Sequence, residues 1–298
     1  MTGSPLVPAP VLAFAERGAP WATWVAGLPR VLSELLAEWD LTPSAPTLHG
    51  HTAVVVPVGS AVLKVAFPDE ESEHEALALQ RWGGRGAVRL LRADPHRRAL
   101  LLERLSVRDL SDAWDVEACE HVAKLYRHLH VPAPPQLRTL TSYVARWDAA
   151  LGELPGDAPL PRRLVQQARA LTRDLIADPD SVGTLVHTDL HYENVLAAER
   201  APWLVIDPKP VSGDPHYEPA PMLWNRWDEV VASGDVRDAV RRRFHTLVDT
   251  AGLDEHRARD WVVVRMVHLA LGELRGHPVA PDQDWLTRCV AIAKAVQD

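Results

Sequence analysis

The chain has 298 residues, of which 47% are hydrophobic and 24% are charged, and its formal net charge is −8. This length predicts one large domain or two modest ones. The acidic balance argues against a protein that binds DNA or RNA through a basic surface, and it would suit a cationic small molecule as partner.

The first 104 residues predict a small α/β unit. The segment "LPRVLSELLAEWD" has the apolar spacing of a helix, with Pro29 in its first turn. Strands are expected at "TAVVVPV", "AVLKVAF", "AVRLLRAD" and "RALLLERL". The first two are joined at Gly59–Ser60, which is typical of a hairpin. Between the second and third strands, "DEESEHEALALQRW" predicts a helix with acidic residues in its first turns and an end at Gly83–Gly84.

Residues 105–298 predict a larger unit that is mainly helical. Helices are expected near 115–130, 139–151, 161–177, 218–232, 235–251, 255–275 and 283–297. A single pair of short strands, "ENVLAA" and "WLVID", interrupts them. The chain is therefore expected to divide into an N-terminal unit at 1–104 and a C-terminal unit at 105–298.

The stretch "TLVHTDLHYENVLAAERAPWLVIDPKP" carries three oxygen-bearing side chains at the ends of apolar runs, namely Asp189, Asn194 and Asp207. Taken singly, each is more often a turn or cap residue. Transfer of a phosphoryl group from ATP needs a carboxylate that takes the acceptor's proton and oxygen ligands that hold magnesium. An Asp, an Asn five residues later and an apolar hairpin that ends in Asp supply both. We therefore predict Asp189 as the base and Asn194 with Asp207 as the magnesium ligands.

The same chemistry needs a cation at the α/β-phosphates, and Lys64 is the only charged residue of the strand "AVLKVAF". By itself it would be interpreted as an edge-strand lysine that reaches solvent. An acid of the following helix could pair with it, and Glu71, Glu73 and Glu75 are the candidates. Glu75 is chosen because it begins the apolar face that continues at Leu79.

The blocks "HTDLHYEN" and "VIDP", with Lys64 upstream, resemble the catalytic loop and metal-binding segment of antibiotic kinases with a protein-kinase-like fold. The longer block "HTDLHYENVLAAERAPWLVIDPKPVSGDPHYE", together with "LKVAFP", "LLLERL" and "HLHVPAPP", is similar to the streptomycin 6-phosphotransferase and hydroxyurea phosphotransferase group of the aminoglycoside phosphotransferases. The resemblance covers residues 21–260 approximately. It implies an α+β, two-lobe fold with a small sheet-plus-helix lobe and a larger, mainly helical lobe.

The resemblance implies a MgATP-dependent kinase with the roles already given for Asp189, Asn194, Asp207, Lys64 and Glu75. It also implies that the backbone of Glu103 and Leu105 meets the adenine ring, and that His187 braces the catalytic loop. The loop that covers the phosphates is not glycine-rich here. We expect this cover at Gly50 to Thr52.

The acceptor is expected against the segment "GDPHYEPAPMLWNRWDEVV", whose acids and aromatic rings suit a guanidinium or ammonium group. The residues expected to meet it, with Asp189, are Glu218, Trp224, Asn225 and Asp228. Asp214 is interpreted as a structural turn residue, and Trp224 and Trp227 could instead pack together on one helix face. Streptomycin, modified at its 6-hydroxyl as a route to antibiotic resistance, is the favoured acceptor. Hydroxyurea, a peptide antibiotic or a metabolite is the alternative.

A metal-dependent hydrolase is the rival interpretation, because His187, Asp189, His191 and Asp207 resemble a two-metal ligand set. It is disfavoured because it leaves Lys64 and Asn194 without a role.

The bulk of the sequence predicts a cytoplasmic protein that binds no nucleic acid and no membrane. Neither a signal peptide nor a membrane-spanning run is recognised. The two cysteines, Cys119 and Cys289, lack the spacing of a disulfide framework or thiolate metal site. We expect a monomer or a weak dimer.

Overall fold

The computed structural model describes residues 6–297. The chain divides into two compact units, Met1–Ser106 and Val107–Asp298. The observed division lies two residues beyond the expected one at 104/105.

The N-terminal unit is built around a five-stranded antiparallel sheet. Its strands are β1 (Leu48–His49), β2 (Ala53–Val58), β3 (Ala61–Ala66), β4 (Leu90–Asp94) and β5 (Ala99–Glu103), in the spatial order β1-β2-β3-β5-β4. Its helices are α1 (Ala9–Leu12), α2 (Ala19–Glu38) and α3 (Glu75–Trp82), with a 3₁₀ segment at Ala13–Arg17. The apolar face of α2, including Leu28, Leu32 and Leu35, forms one core with Val56 and Leu63 of the sheet. Since successive strand side chains alternate between the two faces, this burial fixes the register of β2 and β3.

The hairpin turn and the end of α3 are where the sequence predicts them. Gly59 has φ +67° in the turn between β2 and β3, and Gly83 has φ +57° directly after α3. Glycine adopts this left-handed conformation without the steric cost that a Cβ would add. The strand order along the chain is also confirmed, apart from the additional short strand β1.

Two predicted helix starts in this unit are wrong. Helix α2 begins at Ala19, ten residues before Pro29, which lies inside the helix on its exposed side. Pro29 removes one backbone hydrogen bond of the helix, but its ring lies on the exposed side and displaces no core side chain, so the helix continues. Helix α3 begins only at Glu75, because Oδ1 of Asp69 accepts the N–H groups of Glu71 and Ser72 at 3.0 and 2.7 Å and closes a turn.

The C-terminal unit is mainly helical. Its helices are α4 (Asp115–Leu129), α5 (Leu140–Gly152), α6 (Arg162–Ala177), α7 (Ala220–Trp224), α8 (Trp227–Ala232), α9 (Val236–Ala251), α10 (Glu255–Gly276) and α11 (Gln283–Ala295). Most side chains of α10 between Trp261 and Leu271 are buried, on all sides of the helix, so this helix forms the centre of the unit. Among the helices of residues 6–297, none has the length and apolar character needed to cross a membrane.

Two short strand pairs interrupt these helices. The predicted pair is present as β7 (Val195–Ala197) with β8 (Trp203–Val205). A second pair, which was not expected from the sequence, joins β6 (Thr184–Val186) to β9 (Val211–Gly213). Together they enclose the stretch that carries Asp189, Asn194 and Asp207.

The single helix predicted over 218–232 is wrong, because the structure has two helices there. Helix α7 ends at Trp224, and α8 begins at Trp227. Arg226 between them has φ +49°, a conformation that is uncommon for a residue with a side chain. Nη1 of Arg243 donates to the carbonyl oxygen of Asn225 at 2.6 Å and stabilises the break.

Candidate active site

Two loops of the C-terminal unit carry the predicted catalytic and metal-binding side chains. The first loop, residues 187–194, connects β6 to β7, and the second loop, residues 206–210, connects β8 to β9. Their backbones are joined at both ends. The N–H of Ile206 donates to the carbonyl of Asn194 at 2.9 Å, and the N–H of Lys209 donates to the carbonyl of His187 at 3.0 Å. The strand pairs therefore hold the two loops side by side.

The residue before the predicted base adopts an uncommon backbone conformation. Thr188 has φ +64°, and Asp207 in the second loop has φ +57°. Such uncommon backbone conformations persist only where the surrounding structure imposes them. At Thr188 the N–H donates to Glu218 Oε2 at 3.2 Å, the hydroxyl donates to the carbonyl of Lys209 at 2.7 Å, and the carbonyl accepts from Arg265. Every polar atom of Thr188 is thus bonded, which fixes where Asp189 starts.

Asp189 lies in the first loop with a cation beside it. Its Oδ2 is 2.7 Å from Nζ of Lys209, and the two side chains are 20% and 32% exposed. Local sequence patterns do not predict a role for Lys209. Its one signal in the sequence is the position two residues after Asp207, and that spacing alone does not show on which side of the loop a side chain lies.

His187 is the buried brace that the resemblance implied. Its Nε2 is 2.9 Å from the carbonyl oxygen of Ile206, and its Nδ1 is 3.3 Å from the backbone nitrogen of Asp189. A carbonyl only accepts and an N–H only donates, so the ring is neutral with its proton on Nε2. Burial lowers the pKa of His187, which agrees with this neutral form. Because both ring nitrogens are bonded within the loops, neither is available to a metal.

This bonding argues against the hydrolase interpretation. It removes His187 from the two-metal set that would also need Asp189, His191 and Asp207. Over residues 6–297, no group of three or more His, Cys, Asp and Glu side chains is arranged to hold a metal ion.

Glu218 lies beneath the first loop, where an acceptor does not reach it. It is fully buried, and Oε1 and Oε2 accept the backbone N–H groups of His187 and Thr188 at 2.5 and 3.2 Å. Burial by itself raises the pKa of Glu218, but His130, with Nε2 3.8 Å from Oε1, and the N–H of His187 lower it overall. Glu218 therefore has a structural role and does not face the substrate as expected. The buried N–H groups of the loop need a hydrogen-bond acceptor, and the carboxylate of Glu218 supplies it.

Asn194 has the geometry of an oxygen ligand. The side chain is 7% exposed, and its Nδ2 donates to the carbonyl of Asp189 at 2.8 Å. A carbonyl can only accept, so the amide group is identified as the bonded end and the carboxamide oxygen is left for another partner. The pairing of Val195 with Val205 places Asn194 and Asp207 at the same end of the hairpin. One neutral and one anionic oxygen group fit a magnesium ion.

A buried network holds the first loop from its other side. The hydroxyl of Tyr192 donates to Asp115 Oδ1 at 2.5 Å, and Nε of Arg243 donates to Oδ2 of the same carboxylate at 2.8 Å. Burial raises the pKa of Tyr192, so the phenol remains protonated. The network connects the loop to the break between α7 and α8, where Arg243 also binds Asn225. It fixes the position of Tyr192 within the loop.

The tryptophans expected to meet an acceptor are already in contact with arginines. The guanidinium of Arg265 lies 4.9 Å from the ring centre of Trp224, and that of Arg288 lies 5.2 Å from Trp227. Arg265 is 7% exposed and bonds to the carbonyl of Thr188. The two tryptophans lie in different helices, α7 and α8, so the alternative that they pack together on one helix face is wrong, and both are half-buried. Arg265 links Trp224 to the first loop.

The remaining acceptor candidates differ in exposure. Nδ2 of Asn225 donates to the carbonyl of Pro221 at 2.9 Å, so its amide helps to end α7. Asp228 is exposed in the first turn of α8. Asp214 is structural, as expected, because its buried carboxylate accepts Nε1 of Trp261 at 2.6 Å and Nε of Arg257 at 2.5 Å.

In the N-terminal unit, Lys64 and Glu75 form a buried ion pair. Nζ of Lys64 lies 2.7 and 2.8 Å from the two carboxylate oxygens of Glu75, and the residues are 6% and 3% exposed. Of the three acids considered, Glu75 is thus the partner. Removing two charges from water costs free energy, so such a pair is weak evidence for stability and points to a functional role for the lysine.

The other residues predicted to contact the nucleotide lie at or just beyond the ends of strands in this sheet. Glu103 ends β5, where its N–H donates to the carbonyl of Arg89 at 3.0 Å, and Leu105 follows it. Gly50 and Thr52 form the turn between β1 and β2. The N–H of Gly50 donates to the carbonyl of Ala53 at 3.0 Å, and the carbonyl of Thr52 accepts the N–H of Phe67 at 2.7 Å.

Comparisons with known proteins show which family the chain belongs to. Residues 38–274 match the model of the aminoglycoside/hydroxyurea antibiotic resistance kinase family. The streptomycin 6-kinase of Streptomyces glaucescens is 38% identical over 97% of this chain and 95% of its own length. The hydroxyurea phosphotransferase of Kitasatospora aureofaciens is 40% identical over 93% of this chain and 83% of its own length.

The fold is also found in solved structures. The choline kinase LicA from Streptococcus pneumoniae superimposes with a TM-score of 0.63 at 13% identity, over 90% of this chain and 98% of that chain. The expected protein-kinase-like fold is thereby confirmed. From the family match and the two relatives, the chain belongs to the aminoglycoside/hydroxyurea antibiotic resistance kinases and is an O-phosphotransferase.

Proposed function

We propose that this chain transfers the terminal phosphoryl group of MgATP to the 6-hydroxyl of streptomycin. The observation that carries the proposal is the first loop, in which Thr188, with every polar atom bonded, fixes the start of Asp189, and Nδ2 of Asn194 donates to the carbonyl of Asp189. Backbone hydrogen bonds from Ile206 and Lys209 to this loop hold the segment that carries Asp207 next to it. The acceptor is proposed from a relative named streptomycin 6-kinase that is 38% identical over 97% of the chain.

In the proposed reaction Asp189 accepts the proton of the acceptor hydroxyl. The hydroxyl oxygen forms a bond to the terminal phosphorus while the bond from that phosphorus to the ADP oxygen breaks. Asn194 and Asp207 would hold magnesium, which supplies positive charge to the phosphates when it is bound. The rigid loop keeps the carboxylate within hydrogen-bond reach of the acceptor, so little reorganisation is needed at the moment of transfer.

The N-terminal unit is proposed to supply the nucleotide contacts. Lys64, kept in place by Glu75, would contact the α/β-phosphates. The backbone of Glu103 and Leu105 would meet adenine, and the turn at Gly50–Thr52 would cover the phosphates. A buried lysine with its carboxylate partner is pre-organised for this role, because the ammonium is already desolvated and fixed.

The acceptor side is proposed to include Trp224, Asn225 and Asp228. Asp228 is exposed, so its carboxylate can attract a guanidinium group of the antibiotic. Phosphorylation would add about two negative charges to a cationic drug, which weakens its attraction to RNA phosphates. We infer that the chain confers resistance in this way, inside the cytoplasm.

The experiment is an acceptor screen with purified protein. Streptomycin, other aminoglycosides, hydroxyurea and sugar metabolites are incubated with MgATP, ADP release is measured, and mass spectrometry detects an added phosphate. We expect streptomycin to be phosphorylated at the 6-hydroxyl with the highest kcat/KM. The D189N variant should bind nucleotide and lose transfer, because an amide cannot take the proton. Retained turnover in D189N would contradict the assigned base.

Hydroxyurea is the second candidate acceptor. It is favoured by the relative named hydroxyurea phosphotransferase, which is 40% identical over 93% of the chain. The same screen separates the two, since a higher kcat/KM for hydroxyurea than for streptomycin would reverse the proposed order.

A further inference from the structure

Lys209 lies against the proposed base in a position that the proposed mechanism does not yet use. Its Nζ is 2.7 Å from Oδ2 of Asp189. Both side chains keep partial exposure, 32% for Lys209 and 20% for Asp189, so a ligand can approach the pair.

The backbone of Lys209 is anchored to the residues before the base. Its N–H donates to the carbonyl of His187 at 3.0 Å, and its carbonyl accepts the hydroxyl of Thr188 at 2.7 Å. Pro208 fixes one backbone dihedral directly before it. An ordinary surface ion pair has no such anchoring and contributes little to stability. Here the main chain fixes where the Lys209 side chain starts, and the ammonium lies 2.7 Å from the carboxylate.

A cation beside Asp189 would reduce the repulsion between the base and the phosphates during the reaction. The acceptor oxygen must lie within about 3 Å of both the carboxylate and the phosphorus, so the negative base and the negative phosphates come close together. Two like charges at such a short separation repel each other strongly where water is partly excluded. The ammonium of Lys209 reduces this repulsion, because it lies beside the carboxylate that causes it.

We propose that Lys209 is a catalytic residue that neutralises Asp189 before transfer and binds an oxygen of the transferred phosphoryl group during it. The inference rests on the proposed function. As the acceptor proton passes to Asp189, the carboxylate loses its charge and the ammonium becomes available to the phosphoryl oxygens. The new O–P bond forms, the P–O bond to ADP breaks with its electron pair leaving on ADP, and Lys209 keeps its own protons throughout.

The first test replaces the charge at constant length. K209M should lower kcat by about 100-fold, in the range found when one transition-state donor is removed from an active site. The KM values for ATP and acceptor should stay within about threefold, because the contact to phosphate is made mainly during transfer. K209R retains a cation, although its planar fork differs in shape, and it should keep kcat within about tenfold of the parent.

The second test restores the charge chemically. The two native cysteines, Cys119 and Cys289, are 0% and 1% exposed, and burial raises the pKa of each thiol to about 12. They should therefore be inert while the introduced thiol of K209C reacts. Alkylation with 2-bromoethylamine forms a C–S bond, releases bromide and a proton, and places an ammonium at nearly the length of lysine. Alkylation with 2-bromoethanol gives the matched neutral adduct.

We expect the aminoethyl adduct to recover at least about tenfold in kcat, and the hydroxyethyl adduct to remain as slow as K209C. Both adducts come from the same protein, so a folding defect affects them equally and cannot imitate this difference. Wild-type protein treated with each reagent controls for reaction elsewhere.

Two results would overturn the Lys209 proposal alone: K209M with kcat within threefold of an active parent, or equal recovery by the charged and neutral adducts. A parent protein that phosphorylates none of the acceptors in the screen overturns the proposed function, and with it the role of Lys209.

Discussion

At the scale of single residues, the site depends on groups that never touch a substrate. Thr188 adopts φ +64° because a carboxylate, a carbonyl and a guanidinium bind its three polar atoms. Glu218 supplies the carboxylate from a fully buried position. Since a buried charge is costly unless its hydrogen bonds are satisfied, the two backbone N–H groups and the carboxylate stabilise one another.

The E218Q variant tests this brace. A glutamine offers only one acceptor oxygen, so the N–H of His187 or of Thr188 would face an amide group that also donates. An unsatisfied buried donor costs about 1–3 kcal/mol, and we expect the free energy of unfolding to fall by that amount. A displaced Asp189 should lower kcat at least about tenfold. Urea unfolding and steady-state kinetics measure the two effects.

E120Q is the matched control for that variant, because Glu120 lies on the surface of α4 in an ion pair with Lys124. It should change neither the unfolding free energy nor kcat appreciably. An E218Q protein with the stability and kcat of the parent would show that the loop does not depend on Glu218.

At the scale of secondary-structure elements, Arg243 joins three segments. It lies in α9, is fully buried, and donates to Asp115 in the first turn of α4 and to the carbonyls of Met222 and Asn225 at the end of α7. Through Asp115 it also reaches the hydroxyl of Tyr192 in the first loop. One side chain thus couples the break between α7 and α8 to the loop that carries the base.

R243M should therefore be far more damaging than the same change at its neighbour. It leaves a carboxylate and several carbonyls without their donor, and removing one partner of a buried pair costs about 3–5 kcal/mol. R242M is the control, because Arg242 is 52% exposed and forms an exposed ion pair with Asp238. Urea unfolding of each variant and of the parent measures the change in the free energy of unfolding. Equal stability of R243M and R242M would contradict the coupling role.

The contrast between these arginines also explains how far the sequence could predict the structure. The strands of the N-terminal unit and most helices follow local apolar periodicity, and the Asp-Asn-Asp arrangement follows from spacing along 19 residues of one segment, from 189 to 207. The contacts of Arg265 and Arg243 join residues that are 77 and 128 positions apart. No local pattern contains such pairs, so these roles, the pairing of Lys209 and the buried position of Glu218 required the folded structure.

The same reason accounts for the errors in element boundaries. The turn at Asp69 delays α3 through side-chain bonds to the backbone, and the break after Trp224 depends on an arginine of another helix. Strands β6 and β9 have only three residues each and pair across the whole catalytic segment. Runs this short give little periodicity to detect.

At the scale of the whole molecule, the centre of the C-terminal unit contains a buried titratable group, His268. His268 of α10 is 4% exposed, and within residues 6–297 neither ring nitrogen has a hydrogen-bond partner. Its ring lies 6.3 Å from that of Trp147. Burial lowers the pKa of His268 to about 3, so the folded protein keeps it neutral.

This group should make the molecule lose stability in mild acid. Between its ordinary pKa of about 6.5 and the lowered value of about 3, the unfolded chain binds a proton at His268 and the folded chain does not. The state that binds more protons gains as pH falls, so the free energy of unfolding should decrease by roughly 1–2 kcal/mol per pH unit from this residue. H268L removes the titration and keeps an apolar side chain in place.

We expect urea unfolding from pH 6.5 to 4.5 to show a shallower loss of stability in H268L than in the parent. The control variant is H128L, at an exposed position of α4, and its stability should follow that of the parent. Parallel curves for H268L and the parent would mean that His268 takes up its proton in the folded state as readily as in the unfolded one.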